Sequence, residues 1–519
     1  MYRIKRLVEN FDLKLLYSGP SFAVLFYVIL FFCSGCDFSG SNNKISEGIE
    51  SVIFNLDPAT IKTPEDNRIV SLIYEPLVGL SDDYKTFEPG LAEKWSVSSD
   101  QRSYFFSLKP GIFFQDNSPV NTEALVFAFQ RQMRLNLDSP LFSMIDSIHI
   151  IDSLTMRFTL KYPYTPFLYT LTSPVGLKGV SKKAILKYGD KLAEHPVGSG
   201  PYMFKKLDDN SELVLTKFEL YPNHLPNIDQ ISFKVYSDYS EISNYFKESK
   251  IDLLYLIPGF YIDRLKWLGV VDYQVLPATS TVMIGFNSQS PPFHLPEVRR
   301  AVLLAINREK LVYNFLRGNS IPAKGPLPPV LFNYREITQP GYNPEKAAEL
   351  LAKAGYPHGF RASFYYLDRY RARNTIFEAI KNDLEKAGIK LNLIPFYSWE
   401  ELEAACRSDT SQVYWTAWGT DVLGDPENFL YSLFHSSSPH NLLHFRNNAV
   451  DRLLEEARRE PDRQLREELY RQIVELVLRD VPAVFMYHVI PVYAYNRNKI
   501  EKLPLDPYGH VQYQNIVLR

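Results

Sequence analysis

Between residues 374 and 417 the chain alternates helical and strand patterns, and this alternation restricts the fold more than any other feature of the sequence. The pattern predicts a helix, a strand, a second helix and a second strand over about 374–387, 389–396, 399–407 and 412–417. Gly388 ends the first helix and Ser398 caps the second. Strands joined through a helix run parallel with a crossover, so this stretch predicts an α/β domain.

Patterns elsewhere in the chain support the same fold class. Asn121 opens an amphipathic helix, and residues 210–236 alternate apolar and polar side chains as half-buried strands do. Prolines at first-turn positions, Pro296 and Pro344, start two more helices, and residues 447–480 hold a further pair. The sequence therefore predicts helices and strands throughout rather than a single helical or strand-rich segment.

Composition narrows the possible classes of function. The shares of hydrophobic and charged residues, 45% and 22%, are those of a globular protein with a sizeable core. A formal charge of −2 leaves no basic footprint for nucleic acid. Aromatic residues reach 14%, which fits either a groove for a large ligand or, more commonly, a core rich in rings.

The amino end has the order of a secretory signal peptide. A basic lead-in precedes residues 21–32, an uncharged stretch too short to span a membrane but long enough for a signal-peptide core. The small residues Ser34 and Gly35 then precede Cys36, which resembles the lipobox of bacterial lipoproteins, although Cys33 stands where that motif usually has leucine. A short buried helix, or a C-x-x-C redox or zinc site, is the alternative.

From this order we predict a signal peptide over residues 1–35, lipid attachment at Cys36 and a polar tether over residues 36–47. The chain has three cysteines, so after cleavage and acylation only Cys406 keeps a free thiol. No disulfide can then form within the mature chain, and stability must come from burial.

Motifs of common enzyme classes are missing from the sequence. It contains no phosphate-binding loop, dinucleotide fingerprint, H-E-x-x-H zinc motif or G-x-S-x-G elbow. Ser199 lies between two glycines, but the motif is one residue too short for the elbow and favours a tight turn. His435, His440 and His444 have spacings that metal ligands can have, although loop histidines in solvent are commoner, so no metal site is predicted.

One constellation combines two indoles with a carboxylate at the end of a predicted strand. Trp415, Trp418 and Asp421 follow one another at intervals of three residues, with Gly419 between the last two. Ligands of open α/β sheets bind at the carboxyl ends of strands, and a carboxylate in a dry cleft requires a cationic partner such as a ligand ammonium group. Helix capping is the alternative role for Asp421, although Asp425 already occupies a capping position.

Five segments are close to the motifs of one known family. They are residues 91–123 (LAEKWS to NTE), 197–202 (VGSGPY), 298–308 (VRRA to AINR), 342–356 (YNPEKA to AGY) and 415–429 (WTAWGTD to DPENF). With these motifs in family order, the chain resembles the bacterial extracellular solute-binding proteins of family 5, above all the oligopeptide- and dipeptide-binding proteins of ABC importers. It departs from the family at residues 101–102 and 116–117, where the family has Asp-Gly pairs.

The resemblance implies an α/β, two-lobed fold of the periplasmic-binding-protein type (type II, clamshell) with an extra inserted domain. The first domain of lobe 1 then comprises residues 48–76, 190–278 and 485–519. The inserted domain of lobe 1 comprises residues 77–189, and residues 279–484 form the second lobe. A ligand is expected in the cleft between the lobes.

The resemblance also implies roles for individual residues. In peptide-binding members, a carboxylate at the position of Asp421 pairs with the peptide α-ammonium group, beside an indole at the position of Trp418. Trp415 is a further candidate in the same segment. Arg371 and Arg373 lie near the stretch where dipeptide-binding members place an arginine against the ligand carboxylate, although exposed arginines at a helix start are the alternative.

These residues lead us to expect a lipid-anchored solute-binding protein that captures peptides and delivers them to an ABC permease, without catalysis and without a cofactor. Residues 74–77 resemble the crossover into the inserted domain and are expected to face the peptide. The expected partners are the peptide, the permease subunits and, through acylated Cys36, the lipid bilayer; the chain should be an extracytoplasmic monomer. Murein peptide, nickel and haem are alternative ligands, and an exported hydrolase or an adhesion lipoprotein are alternatives of other classes.

Overall fold

The structure, a computed structural model, describes most of the chain beyond residue 42. The described residues are 43–49, 55–61, 63–137, 139–208, 212–222, 225–236, 241–255, 262, 265–316, 319–333, 337–368, 374–419 and 422–519. Residues 45–519 form one compact unit. The predicted signal peptide and Cys36 lie outside the described residues.

Most of the described strands belong to three sheets. In chain order the strands are β1 (Lys44–Ile49), β2 (Val78–Leu80), β3 (Phe87–Pro89), β4 (Ala92–Val97), β5 (Ser103–Leu108), β6 (Ile145–Ile150), β7 (Thr155–Leu160), β8 (Tyr202–Leu207), β9 (Leu213–Lys217), β10 (Gln230–Val235), β11 (Leu253–Leu254), β12 (Val271–Val275), β13 (Ser280–Phe286), β14 (Ser320–Pro322), β15 (Phe360–Leu367), β16 (Ile389–Phe396), β17 (Val413–Gly419), β18 (Ala483–Val489), β19 (Val492–Asn496), β20 (Ile500–Lys502) and β21 (Val517–Leu518). The sheets have the strand orders β12-β19-β11-β1-β10-β9-β8, β14-β18-β13-β17-β15-β16 and β4-β5-β7-β6, and β2-β3 and β20-β21 form separate pairs.

Thirteen α-helices lie among the described residues, and several of them begin at a capping residue that the sequence predicts. They are α1 (Pro64–Ile73), α2 (Thr122–Leu135), α3 (Phe167–Thr172), α4 (Lys182–Tyr188), α5 (Ile242–Lys247), α6 (Pro296–Ala305), α7 (Arg308–Leu311), α8 (Pro344–Lys353), α9 (Asn374–Lys386), α10 (Trp399–Cys406), α11 (Glu427–Phe434), α12 (Asn448–Ala457) and α13 (Arg463–Asp480). Asn121 and Ser398 cap α2 and α10 by accepting hydrogen bonds from the N–H groups of Ala124 and Glu401, as predicted. Among the described residues, no helix is both long and apolar enough to cross a membrane.

Strand β1 begins inside the segment predicted as a polar tether. Lys44–Ile49 pairs in parallel with β11, and Glu47 is fully buried. Its carboxylate forms an ion pair with Arg68 at 2.8 Å and accepts a hydrogen bond from Tyr513. The tether therefore ends before residue 44, and the local sequence does not reveal this because the groups that allow Glu47 to be buried come from distant parts of the chain.

The six-stranded sheet confirms the predicted parallel topology, with one difference. β15 and β16 run parallel and are joined through α9, and β17 also runs parallel to β15. The predicted crossover from β16 to β17 therefore connects parallel strands, but β15 lies between them. Helices cover both faces of this sheet, which is why its central strands β13 and β18 are buried along almost their whole length.

The four-stranded sheet packs against α2 and has its own core. That core is rich in aromatic side chains, including Phe106, Phe129, Phe158 and Phe167, which lie in ring contact. Two residues from the far end of the chain, Val422 and Leu423, are buried in the same core. Much of the high aromatic content therefore fills cores, as the commoner interpretation predicts.

The turn around Ser199 is a packing element. A Cβ atom on Gly198 would lie 2.0 Å from the carbonyl oxygen of Ile73, and one on Gly200 would lie 2.6 Å from that of Leu72. Glycine is required at both positions because the turn lies directly against the end of α1. Ser199 itself is fully buried, which fits a tight turn and does not fit an exposed nucleophile.

Candidate functional site

A cavity of about 550 Å³ opens beside Trp418. Most of its lining comes from three parts of the chain that are far apart in sequence: the loop that follows β1, the end of α2 with the loop after it, and residues at the end of β17 and in α11. Val175 and His440 complete the lining. The lining residues are Pro58, Ala59, Ile61, Gln132, Leu135, Asn136, Leu137, Ser139, Pro140, Leu141, Phe142, Val175, Trp418, Asn428, Ser432 and His440. Its volume is in the range that small-molecule and short-peptide sites occupy.

The alternation of side chains along β17 decides which indole reaches the cavity. Trp415 is 5% exposed and packs on one face of the sheet, where its ring lies 5.3 Å from that of Phe377 and 6.0 Å from that of Tyr487. Trp418, an odd number of residues further on, lies on the opposite face, with its ring 5.7 Å from that of His440. The structure therefore does not bring the two tryptophans together.

An ion pair and a hydrogen bond fix the cavity wall opposite Trp418. Arg131 in α2 forms a two-bonded ion pair with Asp57 at 3.0 and 2.6 Å, which fixes the loop that carries Pro58 and Ala59. The Asn136 amide donates to the carbonyl oxygen of Ala59 at 2.8 Å. These bonds make the wall rigid, because its backbone is tied directly to α2.

The chain is also anchored immediately after residue 421. Beyond the buried Val422 and Leu423, Gly424 has a φ of 85°, and a Cβ atom there would lie 2.4 Å from the Tyr169 ring. The Asp425 carboxylate accepts hydrogen bonds from Arg466 at 2.9 Å and from Tyr470 at 2.6 Å. It also accepts from the N–H of Glu427, the first residue of α11; the N-cap of that helix is Pro426 and not Asp425, the capping position predicted from the sequence.

A buried ion pair joins α11 and α12 to the chain near the four-stranded sheet. Arg458 lies 2.9 Å from the carboxylate of Glu427, which also accepts a hydrogen bond from the Tyr164 hydroxyl at 2.6 Å. The guanidinium group lies over three rings, those of Tyr162, Tyr164 and Tyr431, at 5.3, 5.4 and 4.0 Å. Burial, the largest influence, raises the pKa of Glu427, and the positive charge of Arg458 counteracts it.

The predicted site residues differ in location, and only two of them lie within the described part of the chain. Trp418 lines the cavity, whereas Trp415 lies in the core behind the strand, so its ligand-binding role stays a prediction. Asp421, Arg371, Arg373 and Cys36 lie outside the described residues. Residues 74–77 are not among the described residues that line this cavity.

The three clustered histidines have separate contacts. His435 stacks on Tyr431 at 4.3 Å, and burial is the main cause of its lowered pKa. His444 lies 3.0 Å from the carbonyl oxygen of Cys406, and His440 lies beside Trp418. Within the described part of the chain, no group of three or more histidine, cysteine or acidic side chains is placed to hold a metal ion.

Sequence reasoning missed most of the cavity. Asn428 and Ser432 lie one turn apart on α11 and share a face. Their spacing can be read from the sequence, but it does not predict a cavity unless the opposite wall is known. The wall formed by residues 132–142 is distant in sequence from Trp418 and carries no motif.

Glu75, just after α1, has an unusual protonation equilibrium. Its carboxylate accepts a hydrogen bond from the Tyr221 hydroxyl at 2.7 Å. Burial is the largest influence and raises the pKa of Glu75 from 4.5 to about 7, while the Tyr221 hydrogen bond and the charge of Lys109 act in the opposite direction. Folding therefore favours the neutral acid over the carboxylate.

We expect Glu75→Gln to change how stability depends on pH. Because the folded-state pKa of about 7 exceeds the unfolded value of 4.5, the stabilisation from the bound proton is complete below pH 4.5 and is lost as the pH rises through 7. The variant has no proton to lose, so between pH 5 and pH 8 it should gain about 1–3 kcal/mol relative to the parent. Urea unfolding at both pH values measures this gain, with the exposed Glu88→Gln as a matched control. A variant-to-parent difference that does not change with pH would contradict the prediction.

Comparison with known proteins places the chain among transport proteins. The sequence profile described as "Bacterial extracellular solute-binding proteins, family 5 Middle" matches residues 86–441. The glutathione-binding protein GsiB of Pectobacterium atrosepticum is 28% identical over 456 residues, which cover 84% of this chain and 87% of that protein. The dipeptide-binding protein of Escherichia coli strain K12 is 27% identical over 497 residues, with 89% and 92% covered.

A solved structure shows the same architecture. The ABC transporter-associated periplasmic binding protein DppA from Helicobacter pylori, in complex with the peptide STSA, superposes with a TM-score of 0.78 at 26% identity. The match covers 88% of this chain and 94% of that one. The predicted fold class, α/β of the type II periplasmic-binding-protein kind, is confirmed.

Proposed function

Because the chain belongs to the bacterial extracellular solute-binding proteins of family 5, we propose that it binds peptides in the cavity beside Trp418 and delivers them to an ABC importer. One observation carries the choice of peptides: Trp418 lines a cavity of about 550 Å³ and precedes Asp421 by three residues. The Escherichia coli relative is named for dipeptides, and the Helicobacter pylori protein was solved with a peptide, which supports the same class of ligand.

The chemistry of the ligand explains this arrangement. A free α-ammonium group is the one cation that every unblocked peptide shares, and Asp421 supplies the carboxylate that pairs with it. Trp418 provides apolar area beside that pair. Arg371 and Arg373 are the candidates for binding the carboxylate of the ligand. Trp415 supports β17 by packing in the core on the face opposite Trp418.

The proposal includes the anchoring and the layout predicted from the sequence. A signal peptide over residues 1–35 directs export, and Cys36 carries the lipid that holds the protein on the extracytoplasmic side of the membrane. Residues 77–189 form the inserted domain of lobe 1 and residues 279–484 form the second lobe, so that the ligand lies between them. The protein acts as a monomer and carries out no reaction of its own.

Thermal unfolding in the presence of ligands tests the proposal. We expect short peptides with a free amino terminus to raise the melting temperature, because a ligand that binds only the folded state stabilises it in proportion to the logarithm of its concentration. The same peptides with an acetylated amino terminus should give little or no rise, since they carry no ammonium group. Isothermal titration calorimetry then measures the affinity of both forms.

The same experiment also tests the alternative ligands and the alternative functions. Stabilisation by nickel, haem or murein peptide, without stabilisation by ordinary peptides, would overturn the choice of ligand and leave the protein a solute-binding one. Cleavage of the peptides, detected by mass spectrometry after incubation, would support a hydrolase instead. No stabilisation by any solute would favour an adhesion role.

A further inference from the structure

One tryptophan of the protein lies almost entirely in solvent. Trp267 is 90% exposed, whereas Leu265 is buried in a hydrophobic cluster and Leu268 packs against that cluster. The turn that carries the indole is therefore fixed, although the indole itself lies outside the core. An indole combines a large apolar surface with an N–H donor, and tryptophan is enriched where membranes meet water. A single exposed tryptophan indicates such a contact only if other features place it near a membrane.

The register of the seven-stranded sheet places Trp267 at the end where the chain enters the compact unit. One row of paired residues crosses β1, β11, β19 and β12, and it consists of Glu47, Leu253, Tyr495 and Asp272. β1 and β12 run in the same direction, because β11 is parallel to β1 and β19 is antiparallel to both β11 and β12. Ile45 and Val270 each precede the row by two residues, and Trp267 lies just before Val270. The row crosses three strand spacings, about 14 Å, so Trp267 and Ile45 lie at the same end of the sheet.

The stretch before Ile45 limits how far this end of the sheet can lie from the proposed lipid anchor. Ile45 follows Cys36 by nine positions. A chain of nine residues spans at most about 32 Å, even when it is fully extended. In the acylated protein, the end of the sheet that carries Trp267 is therefore held near the bilayer in every orientation of the body.

The charge at this end of the sheet suits an anionic surface. The N–H of Arg497 donates to the carbonyl oxygen of Val270 at 3.0 Å, so this exposed arginine lies beside the start of β12. Exposed cations of the region include Lys247, Lys250, Lys266, Arg497 and Arg519, and its exposed acidic residues include Glu241, Glu248 and Asp272. Positive charge is in excess among these residues, and such an excess is attracted to anionic phospholipids.

From the exposed indole, the sheet register and the short connection to Cys36, we infer that Trp267 and the sheet end around it form the membrane-facing surface of the protein, with the indole at the surface of an anionic phospholipid bilayer. This inference rests on the proposed function, because it requires the lipid on Cys36. It adds the side of the body that faces the membrane. Attachment at one point leaves the body free to rotate, and a second contact at Trp267 limits that rotation.

Quenching of tryptophan fluorescence by brominated phospholipids tests this contact. The mature, acylated protein is reconstituted into vesicles of phosphatidylcholine and phosphatidylglycerol whose acyl chains carry bromine close to the headgroups. Bromine quenches an indole only at short range, so Trp267→Phe should lose most of the quenching that the parent protein shows. Trp399→Phe, at a residue that packs against a core at the start of α10, is the matched control and should keep it.

Charge reversal provides an independent measurement. Lys247→Glu combined with Arg497→Glu should reduce the quenching of Trp267 by about twofold or more on vesicles with phosphatidylglycerol, and should have little effect on phosphatidylcholine alone. Lys353→Glu combined with Arg361→Glu, at exposed residues of α8 and β15, makes the same change in net charge and should have no effect. Equal effects of the two double variants would show that only net charge matters and would overturn the inference.

Further outcomes separate this inference from the proposed function. Mass spectrometry that finds no acyl group on Cys36 would overturn the proposed anchoring and this inference with it. Acylated protein in which Trp267→Phe keeps the full quenching would overturn the inference alone and make a permease subunit the candidate partner. A dimer of the detergent-solubilised protein that Trp267→Ser dissociates would assign the surface to a second copy and also overturn it. Peptide affinity should be unchanged in every variant, because none of the substituted residues lines the cavity beside Trp418.

Discussion

Replacing Arg458 with methionine is expected to lower the free energy of unfolding by about 3–5 kcal/mol, the usual cost of removing one partner of a buried ion pair. Glu427 is 2% exposed, and the variant would leave its carboxylate with the Tyr164 hydroxyl but without the guanidinium group. The three tyrosine rings around Arg458 would also lose their cation. Urea unfolding of the ligand-free protein, followed by tryptophan fluorescence, measures the loss.

Two companion variants show whether the unpaired charge is the cause. Arg458→Met combined with Glu427→Gln removes both charges and should recover much of the lost stability, since neutral groups of similar size replace the pair. Arg459→Met, at the residue after Arg458 and beyond the end of α12, removes an exposed ion pair with Glu455 and should cost less than about 1 kcal/mol. A double variant no more stable than the single one would show that packing, and not charge, accounts for the loss.

Local sequence signals were sufficient to predict most of the helices. They also contained enough information to predict which side chains of one strand share a face. Caps such as Asn121 and Ser398 set helix starts because they accept hydrogen bonds within three residues of themselves. Alternation along β17 even contained the information that Trp415 and Trp418 face opposite ways, because side chains an odd number of residues apart in a strand lie on opposite faces. The prediction that places both indoles beside one carboxylate does not take the two-residue repeat of a strand into account.

The parts that could not be predicted depend on partners far away in the sequence. Tyr164 and Glu427 are 263 residues apart, yet the Tyr164 hydroxyl donates to the Glu427 carboxylate and so joins the loop after β7 to α11. Glu47 is a second example. The polar residues around it in the sequence predict a tether, but in the structure its carboxylate binds Arg68 and Tyr513, which are distant in sequence. Local patterns predict elements, whereas buried charges show how distant elements are joined.

The described residues on either side of 420–421 are anchored in two different parts of the protein. Gly419 ends β17, which pairs along its length with β13, and Val422 is 2% exposed in the core of the four-stranded sheet. Both flanks are therefore attached to rigid parts of the protein, one to each of two sheets.

Asp421→Asn is accordingly expected to weaken binding of peptides with a free amino terminus by about 2–4 kcal/mol, or about 30- to 700-fold in Kd. Asparagine keeps the size of the side chain and removes only its charge, so the ammonium group loses its partner while the cavity keeps its shape. Calorimetry with one peptide in its free and N-acetylated forms measures the effect, and Asp409→Asn, in the exposed turn before β17, is the matched control.

The acetylated peptide decides how the result is to be understood. If Asp421 acts through the ammonium group, the acetylated form binds weakly to the parent protein and equally weakly to the variant, because the interaction is already missing. If both peptide forms lose affinity by the same factor in the variant, the carboxylate instead supports the fold of the site. Unchanged affinity of the free peptide would remove the charge pair from the mechanism and, with it, the main reason to prefer peptides over other solutes.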